Sequence, residues 1–350
     1  MREIRLSKKT TELSGKIVAF LIGIAPINLE IDSVASEVKT LKSSPNYPDV
    51  IPKHKIVKEE RRNISGRDVS FLVKAYLPDV IIAEASVELE NLLADSILDF
   101  KAELIAECRK ILAEYQCSKE FDEDYTVYCI SNYSGDPEVF LSLHGEKVAA
   151  LLKNERISID ENEVKTTLET ALKYAKDDLT IVDWDGAFLF EPQGDIGSNI
   201  ELFEIANLQL LKLRILDFQL DARLEKSVEL LKRREQKLLF RSREVRKTIK
   251  EIVQIRTQTI LESEAIEHNI KLIGDWYSAR LYSLLSRKFH LDEWRKGINE
   301  KIDTLEDIYS IASENFTISL GTTLEFIIIA GWFALLIGYL ALFYLEINVK

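Results

Sequence analysis

Residues 198–273 contain neither glycine nor proline, a run of about 75 residues, far longer than an ordinary globular helix. No turn residue interrupts the span before Gly274, so it is expected to form one long helical element. Leu224, Leu231, Leu238, Val245, Ile252, Ile266 and Ile273 recur at seven-residue spacing, with Thr259 taking one place in the column. A repeat of seven keeps one edge of a helix facing a partner, which predicts a coiled-coil seam joining copies of the chain into a homo-oligomer. The companion column includes Glu235, Ser242, Arg256 and Ser263; buried polar positions of that kind fix register at a cost in stability. At about 1.5 Å per residue such an element extends on the order of 110 Å, so 198–290 is expected to project as a stalk. Helices packed pairwise inside a bundle are the alternative.

The far end of the chain carries a second strong signal. Residues 326–345 hold no charged side chain and lie between Glu325 and Glu346. About 20 apolar residues is the length of a bilayer-crossing helix, so 324–346 is expected to be a transmembrane helix that contacts the lipid bilayer through 326–345. Few residues follow it, which predicts a tail anchor. Cys108, Cys117 and Cys129 are odd in number and show no CxxC spacing, so they read as reduced thiols and place the bulk of the chain on the cytoplasmic side.

The N-terminal half mixes strand and helix signals. A basic tail, 1–14, precedes the apolar run 17–27; without a small-residue cleavage site, this is the first strand of a buried sheet rather than a signal peptide. Proline-rich 39–55 reads as a loop. Ser65-Gly66 separates the two arms of a hairpin, and 80–87 reads as a further strand. Residues 88–115 then switch to helical spacing. Tyr125 to Ile130 is strand-like and is followed by the turn Ser134-Gly135-Asp136-Pro137 and a helix over 138–152. Asp160 caps another helix, and Asp185-Gly186 sits between apolar runs as a hairpin turn. The order predicts an α+β domain over 15–195.

The net charge of -12 argues against a duplex DNA binder, because phosphate neutralisation supplies most of that affinity. Basic charge is nevertheless concentrated in Lys232, Arg233, Arg234, Arg241, Arg243, Arg246 and Lys247. The segment reads either as a solvated helix face or as a contact for RNA, an anionic lipid surface or an acidic partner.

Several stretches resemble the required-for-meiotic-nuclear-division family and its prokaryotic relatives. They are the helix segment 201–221, Gly135-Asp136-Pro137-Glu138-Val139-Phe140, Ile181-Val182-Asp183-Trp184-Asp185, Leu291-Asp292-Glu293-Trp294 and the step Leu324-Glu325-Phe326. The resemblance covers about residues 125 to 345. It implies a domain of unknown molecular function, a long helical region, a C-terminal membrane helix and self-association. For mitochondrial members it also implies support of translation near a membrane. It implies no reaction and supplies no catalytic residue.

The residues themselves point to no chemistry either. The four histidines are scattered without metal-ligand spacing, and no glycine-rich phosphate loop or nucleophile elbow is present. No cofactor is expected. Asp183 and Asp185, at alternate positions, are the one candidate pair for a hard cation; a solvated hairpin is the plainer account. Asn207, Arg214 and Asp221 form a polar column, with Asp217 beside it, on a helix that is otherwise apolar nearly all round. Arg214 is expected to pair with Asp217 or Asp221, either to dock the helix or to line a ligand pocket. Residues 291–315 read as an amphipathic helix whose apolar stripe needs a cover.

The function expected from these features is that of a non-enzymatic, tail-anchored membrane scaffold presenting a cytoplasmic α+β domain to a partner. The alternatives are a ligand- or metal-binding sensor or enzyme built on the N-terminal domain, and a membrane-tethered adaptor for RNA or ribosomes.

Overall fold

The computed structural model describes residues 5–6, 15–26, 38–39, 54–76, 79–232 and 276–348, together with helical positions 247, 250, 253, 254, 257 and 261. The chain divides into two compact units. One comprises residues 1–216 and 261–296, the other 217–260 and 297–350.

The first unit is built on a mixed sheet. In chain order its strands are β1 (Arg5–Leu6), β2 (Gly15–Ile24), β3 (Val38–Lys39), β4 (His54–Ile64), β5 (Arg67–Tyr76) and β6 (Val80–Leu89), then β7 (Asp122–Ile130), β8 (Tyr133–Ser134), β9 (Ala171–Leu172), β10 (Leu179–Val182) and β11 (Gly186–Phe190). Nine of them form one sheet in the order β3-β4-β5-β6-β2-β7-β11-β10-β9, and β1 pairs with β8 in a separate ladder. Only β7 and β11 run parallel; the other pairings are antiparallel.

β2 lies inside the sheet, and Ile17 through Ile22 are at most 1% exposed. A strand covered on both faces needs a continuous apolar run rather than an alternating one, which is what 17–22 supplies. Between β4 and β5, Ser65 and Gly66 both have positive φ, 48° and 80°. That is the mirror-image turn whose twist matches an antiparallel pair.

Helices cover both faces of the sheet. Residues Ile17, Ala19 and Leu21 pack in one core with Phe100, Leu104 and Cys108 of α1 (Ile97–Glu114) and Phe140 and Val148 of α2 (Pro137–Leu152). Asp136 caps α2 by accepting a hydrogen bond from Glu138 N at 3.1 Å. Asp160 does the same for α3 (Glu161–Glu169) through Asn162 N at 2.9 Å. The opposite face presents Phe20 and Tyr125, whose rings pack together, and Tyr125 meets Phe203 of α4 (Gly197–Lys232). On the same side, Tyr277 of α5 (Trp276–Lys288) shares a 2.7 Å hydrogen bond with Thr180 of β10. Cys108 and Cys129 are buried and Cys117 is half-buried, all three as free thiols.

In the second unit, Leu220 of α4 and Ile298, Ile302 and Leu305 of α6 (Leu291–Asn348) are buried. Lys301 Nζ lies 2.7 Å from Asp217 and 2.6 Å from Asp221. The predicted stripe of 291–315 is thus accompanied by ion pairs from α4.

The expected architecture needs correction on two counts. No long coiled-coil stalk is present among the described residues. The first turns of the supposed stalk are a layer of the sheet domain, because Leu202, Phe203, Ala206, Leu210 and Leu211 are buried and Phe203 packs on Tyr125. Likewise, 276–288 is a separate helix hydrogen-bonded to the sheet. Of the seam, Leu224 and Leu231 fall in α4, while Leu238, Val245, Ile252, Ile266 and Ile273 lie outside the described residues. So do Arg233, Arg234, Arg241, Arg243 and Arg246; Lys232 ends α4, and Lys247 is an exposed helical position.

The second correction concerns the membrane. Among the described residues no helix is long and apolar enough to cross one. The tail anchor, the single-pass membrane localisation and the assignment of the chain to the cytoplasmic side of that anchor fall with it.

Candidate functional site

The turn from β10 to β11 is fixed by close packing. A Cβ on Gly186 would stand 2.6 Å from the backbone oxygen of Thr126 on the parallel neighbour β7, so only glycine lets the strands approach here. Asp183 leaves β10 just before this turn and is 4% exposed. Its backbone oxygen accepts a hydrogen bond from the buried Tyr125 hydroxyl at 3.1 Å.

Two lysines neutralise the Asp183 carboxylate. Oδ1 accepts from Trp184 N at 2.7 Å and lies 2.7 Å from Lys288 Nζ. Oδ2 lies 3.4 Å from Lys153 Nζ but makes no hydrogen bond. Lys288 belongs to the last turn of α5 and Lys153 follows the last turn of α2, positions where the helix dipole also favours a cation. One buried carboxylate therefore joins helices from the two covering layers. Burial would lower the Lys153 ammonium, but Glu163 and Asp183 outweigh it and hold the group above its ordinary value.

An open groove of about 590 Å³ lies beside this cluster. The end of α3 and the β10 turn contribute Glu169, Thr170, Asp183 and Trp184; α5 and the residues after it contribute Leu284, Arg287, Lys288 and His290. Trp184, 40% exposed, stands edge-on to Phe289 with ring centroids 5.8 Å apart. His290 has φ 52° and its Nδ1 lies 3.4 Å from Glu293.

Only some of the sequence candidates meet here. Asp183 is central, as a partner of lysines. Asp185 is exposed in the turn; desolvation by its surroundings raises its carboxyl, Lys101 opposes this, and Asp124 and Asp183 add to it. Among the described residues no group of three or more His, Cys, Asp or Glu is arranged to hold a metal ion.

The polar column does not form a cluster. Asn207 Nδ2 donates to Phe203 O of its own helix at 2.8 Å. Arg214 pairs with Glu123 of β7 rather than with Asp217 or Asp221, both of which engage Lys301. Burial pushes Glu123 up to about 7 despite the Arg214 charge.

A second charged cluster was missed altogether. Lys74 Nζ of β5 lies 2.8 Å from Glu204 of α4 and 2.8 Å from Glu84 of β6. Glu204 is fully buried and burial raises it to about 7, against the pull of Lys74. Lys74 itself is raised, because Glu204 and Glu84 overcome the opposing effect of burial. The available signal was a lone lysine in the apolar strand 69–76 and a lone glutamate in the apolar turn 202–206.

Fold and site together define a class: an α+β domain with a nine-stranded mixed sheet between helical layers, carrying a charged, tryptophan-flanked groove at one strand turn. Within that class the chain belongs to the family described as "Uncharacterized protein MJ0711, N-terminal domain", which matches residues 14–196. It is also similar to "Uncharacterized protein MJ0711" of Methanocaldococcus jannaschii, with 28% identity over 318 residues that cover 91% of this chain and 94% of that protein. No solved structure matches.

Proposed function

We propose that the protein is a non-enzymatic scaffold that associates with copies of itself through the C-terminal part of α6 and presents its α+β domain to a partner. One observation carries this reading. From Phe326 to Leu340, eleven large apolar side chains of α6 are 52–72% exposed. They present on the order of 1,000 Å² of apolar surface, above the few hundred Å² that a soluble monomer usually leaves uncovered. A helix apolar on all sides requires a cover, and the same segment of another copy offers a matching one. The self-association implied by the resemblance to the required-for-meiotic-nuclear-division family points the same way.

Sedimentation velocity of the full chain in mild detergent tests the reading. An oligomer is expected, reduced to monomer in the double variant Ile329→Glu, Leu336→Glu. A monomeric wild-type chain would contradict it. So would an oligomer that the double variant leaves intact, or a monomer recovered only with lipid vesicles.

A further inference from the structure

The two faces of the nine-stranded sheet are closed by different chemistry. Toward α1 and α2 the sheet presents Ile17, Ala19, Leu21, Tyr128 and Ile130, all part of one apolar core. Toward α4 it also presents charge. Lys74 Nζ lies 2.8 Å from one oxygen of Glu204 and 3.0 Å from the other, and 2.8 Å from Glu84. Two carboxylates thus share one ammonium, where Lys74 is 6% exposed and Glu204 is fully buried.

With both acids ionised, the cluster holds one uncompensated negative charge largely out of water, which is costly. One added proton, shared between the two carboxylates, removes it. The neighbouring groups do not change this balance. Glu201 of α4 adds negative charge, and Tyr76 of β5 brings a buried hydroxyl without a hydrogen bond; His54 of β4 lies beyond Tyr76, with ring centroids 5.2 Å apart. Elsewhere on the same face Glu123 of β7 meets Arg214 of α4, one acid to one base. A buried ion cluster joins two layers less firmly than apolar side chains of similar volume, so the α4 face is the weaker joint of the sheet.

We propose that Lys74, Glu84 and Glu204 form a proton-dependent latch: a proton shared by the two acids keeps the N-terminal half of α4 seated, and its loss to water lets that half lift from the sheet while the α1–α2 face stays closed. Burial holds Glu204 up to about 7 against an ordinary 4.5. The latch is therefore closed at lower pH and loosens as pH rises through that value. It is independent of self-association, since none of its residues belongs to the exposed apolar part of α6.

The chain carries a reporter on each face. Side chains of β7 alternate between faces through an unbroken register, so Cys129 shares the α4 side with Tyr125 and is 1% exposed. Cys108 of α1 lies in the apolar core of the other face and is 0% exposed. Modification of the full chain by N-ethylmaleimide, read site by site by mass spectrometry, compares the two. The ratio of the Cys129 rate to the Cys108 rate cancels the ordinary rise in thiolate with pH. It is expected to climb about tenfold from about pH 6 to 8. In Glu204→Gln and in Glu84→Gln, each of which leaves one acid to one lysine, the climb is expected to shrink to about threefold or less. A constant ratio, with both thiols becoming reactive together, would overturn the proposal. So would the full climb retained in either variant.

Discussion

Two stretches of helix in this protein are apolar nearly all round, and the structure treats them in opposite ways. In the first turns of α4, Leu202, Phe203, Ile205, Ala206, Leu208, Leu210 and Leu211 are at most 9% exposed. In α6, the large apolar side chains from Phe326 to Leu340 are 52–72% exposed. Composition alone does not distinguish them. What differs is a sheet face: β2 and β7 present Phe20 and Tyr125 to α4, with Phe203 5.6 Å from Tyr125. No such face is described beside the apolar part of α6. An apolar helix therefore specifies that a cover is needed and leaves open which surface supplies it.

The sharpest way to break the comparison is truncation on each side of it. Phe203→Ala removes a fully buried ring and is expected to cost about 3–5 kcal/mol of folding stability in urea titration. Phe333→Ala, 65% exposed, is expected to stay within about 0.5 kcal/mol in the dissociated chain. Equal losses would erase the distinction.

The buried half of α4 also brings an acid into the sheet. Lys74→Met leaves Glu204 and Glu84 without their cation and is expected to cost about 3 kcal/mol or more, while Lys74→Met with Glu204→Leu recovers much of that loss. Lys301→Met, which removes partly exposed ion pairs to Asp217 and Asp221, is expected to cost less than about 1 kcal/mol. A recovery absent from the double variant would show that the buried cluster is not an isolated charge problem.

Smaller again is the pH dependence. Burial lifts Glu204 and Glu123 from an ordinary 4.5 to about 7, so the folded chain holds protons that the unfolded chain has released. Their contribution is full below about 4.5 and is lost as pH rises through about 7. Denaturant midpoints measured from pH 5 to 8 should fall, and Glu204→Gln should flatten the slope. A midpoint that climbs over this range would contradict the assignment.

Local chemistry was legible in the sequence; partners distant along the chain were not. The Ser65-Gly66 turn, the Asp160 cap and the Asp185-Gly186 turn all depend on residues within a few positions, and each stands where the pattern placed it. The helix read from 88 to 115 fails at its start for the opposite reason. β6 continues to Leu89 because Leu89 pairs with Gly15 across the sheet, and α1 begins only at Ile97. Tertiary pairing overrode helical spacing there.

The candidate site divides the same way. Asp183 and Trp184 stood out beside the turn, but Lys288, Arg287 and His290 reach the groove only through the fold. Arg214 met a glutamate 91 residues away rather than its neighbours on the helix, and Lys74 met Glu204 at a separation of 130. No spacing rule connects residues so far apart.

The claim that the apolar part of α6 is covered by its own counterpart is tested most directly by double electron–electron resonance on a full chain spin-labelled at Ile337→Cys, in a Cys117→Ser background. Helices packed together lie about 8–10 Å apart, so the account predicts a label-to-label distance below about 30 Å, lost in the Ile329→Glu, Leu336→Glu variant. A trace without dipolar modulation in the wild-type sequence would contradict it.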